Sequence, residues 1–162
     1  MCLLALPALA QQQRELKALS PEEVQQFLSG AGMGYARPAE LNSFPGPMHA
    51  FELADKLVLT PGQRAQTKEL MDAHKAEARA IGAKRVEAER VLDALFASGK
   101  AEQQALRDAV RAAAALEGEY RLSHLETHRR MRALLTEEQV VRYNHLRGYG
   151  TGGAAHRHGA KH

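Results

Sequence analysis

Two long runs of apolar positions, spaced alternately by threes and fours, dominate the chain. Met71, His74, Ala78, Ile81, Arg85, Ala88, Leu92 and Leu95 fall on the first, and Leu106, Val110, Ala113, Leu116, Tyr120, His124, Met131 and Leu135 on the second. That spacing gathers each set on one face of an α-helix. Between them Ala97-Ser98-Gly99-Lys100 supplies a stop and a turn. The pattern therefore predicts an all-α fold, a long antiparallel helical hairpin with short flanking helices. At about 1.5 Å of rise per residue each arm would be roughly 50 Å long, so the molecule is expected to be elongated. One such hairpin cannot bury both its apolar faces, which predicts an interlocked homodimer.

Both arms are bracketed by the same local pattern. Leu59-Thr60-Pro61-Gly62-Gln63 opens the hairpin and Leu135-Thr136-Glu137-Glu138-Gln139 closes it. In each, a Thr suited to the N-cap precedes a Gln able to reach back to it, the arrangement of a capping box. Pro61 suits the first helical position. In the second copy Leu135 and Val140 are placed to form a hydrophobic staple; Arg64 stands at the matching place in the first.

Outside the hairpin the signals are shorter. Ser20-Pro21-Glu22-Glu23 starts a helix whose stripe is Val24, Phe27 and Leu28, and Gly30, Gly32 and Gly34 end it. Residues 34–47, rich in Gly, Pro and Asn, read as an arm wrapped around the hairpin or around a second subunit. A helix from Met48 to Leu57 is expected to pack on the hairpin base through Phe51, Leu53, Ala54 and Leu57. A last helix holding Val140, Val141, Tyr143 and Leu146 stops near Gly148, and the Gly/His tail is expected to be disordered.

Residues 1–10 form an apolar run closing on Ala8-Leu9-Ala10, which reads as the remnant of a secretory signal peptide, with a short buried helix as the alternative. Ten residues cannot cross about 30 Å of hydrocarbon, so no transmembrane segment is expected. Cys2, the single cysteine, would leave with the signal, and the mature chain would carry no thiol. The resulting division is signal remnant 1–10, N-terminal arm 11–47, hairpin domain 48–147 and tail 148–162. A net charge of +3 does not call for a nucleic-acid partner. No nucleophile–base pair, phosphate loop or paired carboxylates stand out, so no enzymatic activity is expected.

The histidines carry the most specific chemistry. His124 and His128 lie one turn apart on one helix face. With the turn centred near Ser98 and Gly99, residues whose numbers sum to about 198 face each other across the arms, which sets His74 opposite His124. His74, His124 and His128 are therefore a candidate metal site, with Glu77, Met71 or Met131 as a fourth ligand and Zn²⁺, Cu²⁺, Ni²⁺ or Co²⁺ as the ion. The other reading of the same residues is a polar layer that fixes hairpin register. Gly82 and Gly118 fall at a common level, where the arms could approach closely or bend. Arg85 sits on the seam, where an unpaired charge would be costly if buried.

The two LTxxQ copies around a long helical hairpin, behind an export-like segment, resemble the Spy/CpxP/ZraP group of bacterial periplasmic stress proteins over roughly residues 47–147. The resemblance implies a periplasmic, ATP-independent chaperone-like protein that binds unfolded or misassembled envelope proteins. Its alternatives are a metal-binding or metal-sensing protein and a module docking on a membrane-bound sensor or regulator. Sensor-type relatives place a His and a Met four apart ahead of the second motif. Met131 matches that Met, but Thr127 stands where the His would be.

Overall fold

The computed structural model describes residues 14–149. The expected signal remnant, and the tail beyond Tyr149 with His156, His158 and His162, lie outside them. Six helices and no strand occur among the described residues: α1 (Pro21–Ser29), α2 (Arg37–Glu40), α3 (Pro47–Glu52), α4 (Pro61–Ala97), α5 (Gln103–Leu134) and α6 (Glu137–Leu146). The all-α hairpin is therefore as expected, with α4 and α5 packing against each other. The turn between them sits where the sequence put it. Gly99 takes a φ of 67°, and the Ser98 hydroxyl donates to the Leu95 carbonyl at 2.9 Å. The described residues form two compact units, one up to Met33 together with Lys75–Tyr120, the other Gly34–His74 together with the residues from Arg121 onward.

In the first unit α1 lies on the hairpin. Its capping box joins Ser20 and Glu23, and it ends on Gly30, whose φ of 71° lets its N–H turn back to the Phe27 carbonyl. Phe27, 3% exposed, meets the Tyr120 ring edge-on at 5.1 Å. Burial pushes the Tyr120 hydroxyl up to about 12, so it stays protonated and donates to the Ala31 carbonyl at 2.6 Å. Gly82 is where α1 comes closest. A Cβ there would stand 2.0 Å from the Phe27 carbonyl oxygen. The expected facing of Gly82 and Gly118 is thus replaced by an approach of α1 to α4, and a Cβ at Gly118 would meet nothing within 4 Å.

Arg85 is paired. Its guanidinium reaches Glu89 at 2.5 Å and Glu117 at 3.2 Å, and lies over the Phe27 ring at 5.8 Å. Burial works against the charge, but the two carboxylates outweigh it and raise the pKa. The α5 stripe differs from expectation at Val110, which is 49% exposed, while neighbouring Ala109 is buried.

The second unit holds a core of Ala50, Ala54, Leu57, Leu59, Leu70, Met131, Leu135, Val140 and Tyr143. Leu135 and Val140 are both buried in it, as the staple predicts. Arg64 has another role at its own place in the first motif, donating to the Leu59 carbonyl at 3.2 Å and to Asp55 at 2.6 Å. The arm closes on this chain's own helices. Tyr143 donates to the Glu40 carboxylate at 2.5 Å, Tyr149 to the same oxygen at 3.1 Å, and the Asn144 amide to the Ser43 hydroxyl at 2.8 Å. Phe51, expected in the core, is instead 37% exposed.

Candidate functional site

The two motifs meet in the second unit. Thr60 accepts from the Gln63 N–H at 3.1 Å and Thr136 from the Gln139 N–H at 3.2 Å, while each Gln side-chain oxygen accepts from its own Thr N–H at 3.0 and 2.9 Å. These are the two capping boxes. The glutamines then join each other. Gln63 donates to Gln139 at 2.8 Å and Gln139 to Gln63 at 3.0 Å. Their remaining N–H groups go to the Leu134 carbonyl at 2.8 Å and the Leu57 carbonyl at 3.4 Å. Every donor and both lone pairs of each amide are thereby used. Glutamine is the residue this requires, because a carboxylate has no N–H to give.

Further along the same unit lies the histidine layer. The His74 and His124 rings meet edge to face, with centroids 4.5 Å apart and planes at 87°. His124 is 4% exposed, and Tyr35 leans on it at 6.2 Å under the Arg121 guanidinium. The Nδ1 of His74 is buried and has no hydrogen-bond partner among the described residues. His128 is engaged by the arm. Its Nδ1 donates to the Phe44 carbonyl at 2.8 Å and stands 3.5 Å from the Glu40 carboxylate. Gly46 allows this, because a Cβ there would be 3.0 Å from the His128 ring.

Of the three sequence-predicted ligands, the fold thus brings His74 and His124 together and ties His128 to the arm. Glu77 is exposed, Met71 is half-buried, and the Met131 sulfur accepts from the Thr67 hydroxyl at 3.7 Å. Among the described residues, no three His, Cys, Asp or Glu side chains are grouped as a metal ion would need. His49 pairs locally with Glu52 at 3.1 Å, and His145 is exposed on α6.

Burial, and then repulsion from His124 and His128, pushes His74 down to about 4. Its folded pKa lies below the unfolded value, so the unfolded chain binds the extra proton between the two. Stability is therefore complete above about pH 6.5 and is lost as pH falls from there to about 4. At pH 5 the loss expected from this one group, with solvent screening part of the effect, is about 1 kcal/mol. His74→Leu should remove that part of the slope. Urea unfolding at pH 7 and pH 5 checks it, and equal slopes in both proteins would sink the assignment.

Three parts of the site escaped sequence reading. The pairing of Gln63 with Gln139 was within reach, since their numbers nearly satisfy the relation that set His74 against His124. Tyr35 and Glu40 gave no signal, lying in an arm without periodicity.

A scan of protein families matches residues 48–147 to a family described as LTXXQ motif family protein. No match to the chain was found among curated proteins or among solved structures.

Proposed function

The chain belongs to the LTXXQ motif family of Spy/CpxP-like periplasmic proteins, and on that premise we propose that it is an ATP-independent chaperone-like protein binding unfolded or misassembled envelope proteins. The observation that carries the reading is apolar surface left uncovered on a well-capped helical scaffold. Leu41, Met48, Val58, Phe96, Leu122 and Val141 are each more than half exposed. Where such exposed apolar side chains gather into a contiguous patch they offer interaction surface. Family members are generally periplasmic, where such surface meets translocated chains before they fold. Binding without catalysis, and assembly as a homodimer covering part of the exposed apolar surface, belong to the same proposal. Sedimentation velocity checks the dimer.

The test is light scattering from a chemically unfolded client diluted into buffer without nucleotide. Near-stoichiometric chain should suppress the scattering, and ATP should change nothing. Scattering unchanged at a severalfold excess would retire the reading.

A second reading, metal binding or sensing, is supported by the buried His74–His124 contact. With His128 tied to the arm, this contact offers two imidazoles rather than three. Calorimetric titration with Zn²⁺, Cu²⁺, Ni²⁺ and Co²⁺ of the chain and of a His124→Ala/His128→Ala variant decides it. Binding at one ion per chain that the variant loses supports the reading, and binding that persists removes it.

A further inference from the structure

Residues 34–44 of the arm are held to the second unit with little apolar burial. None of their side chains is buried, α2 included. Leu41 and Phe44 are 60% and 36% exposed. The backbone hydrogen bonds of this stretch close on the stretch itself. The Arg37 N–H donates to the Gly34 carbonyl at 3.1 Å, the Leu41 N–H to Arg37 at 3.0 Å and the Phe44 N–H to Ala39 at 3.0 Å. Lifting the stretch as a unit breaks none of these bonds. A part that buries few apolar groups opens at less cost than the core it lies on.

What fastens it is polar and centres on one side chain. Glu40, 13% exposed at its side chain, accepts from the Tyr143 and Tyr149 hydroxyls through one oxygen. Its carboxylate also stands 3.7 Å from Arg147 and 3.5 Å from His128. Further attachments are the Ser43 hydroxyl with Asn144, the Phe44 carbonyl with His128 and the Tyr35 ring on His124.

The two ends carry backbone strain. Met33 and Ser43 hold φ of 45° and 67°, left-handed values that residues other than glycine rarely take. Strain of this kind collects at switch regions. Just beyond, Pro45, Gly46 and Pro47 are buried and anchor the chain. Beneath the stretch lie Tyr143, fully buried as part of the core of the second unit, and His124, 4% exposed.

We propose that residues 34–44 are an autoinhibitory strap, latched through Glu40, which lifts as a unit from a core that stays folded and so uncovers Tyr143 and His124 for an unfolded polypeptide. This rests on the chaperone reading and adds a control to it. The polypeptide binds the lifted state, so its apparent affinity is reduced by the fraction of molecules that are lifted. Weakening the latch should therefore tighten client binding, the reverse of what damage to a binding surface does.

The experiment uses the full chain, hydrogen–deuterium exchange, and anisotropy of a fluorescein-labelled, reduced and carboxymethylated globular protein as the unfolded probe. In the wild-type chain the amides of residues 35–44 should exchange at least about tenfold faster than those of α5 at residues 123–131. Glu40→Ala should quicken the first set about tenfold, leave the second set and the helical circular dichroism unchanged, and lower the probe Kd about tenfold. Tyr149→Phe, which removes one latch hydroxyl at a half-buried ring, should act in the same direction, severalfold, if Glu40→Ala proves too disruptive to fold. Met33→Asn accepts the left-handed φ without glycine's added chain freedom, and should slow strap exchange and raise the Kd severalfold. Strap and α5 amides that exchange together, or a Kd that rises in Tyr149→Phe, would overturn the proposal. Quickened exchange with an unchanged Kd overturns the inhibitory role and leaves the chaperone reading. If neither wild type nor variants bind the probe, a severalfold rise in anilinonaphthalene sulfonate fluorescence in Glu40→Ala supports the strap and removes the chaperone reading; without that rise both fall.

Discussion

Gly82→Ala is expected to lose about 3 kcal/mol of folding stability, a large effect for one added methyl group. The new Cβ would stand 2.0 Å from the Phe27 carbonyl oxygen and 2.7 Å from its carbon, which are backbone atoms that no rotamer change can move aside. The variant must therefore strain the backbone or release α1. Release sets the upper limit of the cost. It gives up burial of Phe27, about 2–3 kcal/mol, and the edge contact with Tyr120, about 1 kcal/mol. It also gives up the Tyr120 bond to the Ala31 carbonyl, about 1 kcal/mol. Against this, alanine in a helix interior is better than glycine by about 1 kcal/mol. Chemical unfolding measures the total, and amide exchange across α1 tells release from strain. A Gly82→Ala protein within about 0.5 kcal/mol of the wild type would mean that α1 does not approach α4 as described. Gly118→Ala is the control. With open space at its Cβ, it should gain up to about 1 kcal/mol.

The contrast between these glycines shows what the sequence could disclose. Both helices, their caps and the turn followed from local rules, because spacing, Thr–Gln pairs and Ser98-Gly99 each act within a few residues. The level of His74 against His124 followed from the turn alone. What local rules cannot give is which third element lands on the hairpin. Gly82 was legible as an anomaly, but its cause is the end of α1, far away in sequence. The same gap hid Arg85's partners: Glu89 was one turn away, whereas Glu117 depended on register. It also hid the arm residues Glu40 and Tyr35, which occupy a stretch with no period to read. Phe51 was misplaced for a related reason. It stands beside the buried face of its segment, and periodicity says that a face exists without saying how far round the chain itself will cover it.

Removing either motif glutamine should cost more than a single surface hydrogen bond, because each amide serves four partners at once. Gln139→Ala leaves the Thr136 N–H, the Leu57 carbonyl and two Gln63 groups without their partner. At about 1 kcal/mol net per bond, with water recovering part at this half-buried site, the expected loss is about 2–4 kcal/mol. The two caps alone account for about 1 kcal/mol each. A double-mutant cycle with Gln63→Ala isolates the amide pair, and a coupling of about 1–2 kcal/mol is expected. Coupling near zero would reduce the motif to two independent helix caps. Gln139→Glu sharpens the test, since it keeps the shape and exchanges the N–H donors for a second acceptor facing the Leu57 carbonyl. That environment disfavours the charged carboxylate, so its folded pKa should lie above the unfolded value. Stability of this variant should then be greatest below about pH 4.3 and fall as pH rises through the folded pKa, opposite in sign to the His74 effect. A motif that only capped helices would accept glutamate with little loss. One that also clamps the two helix starts together requires both donors, which is a physical reason for a final glutamine in both copies.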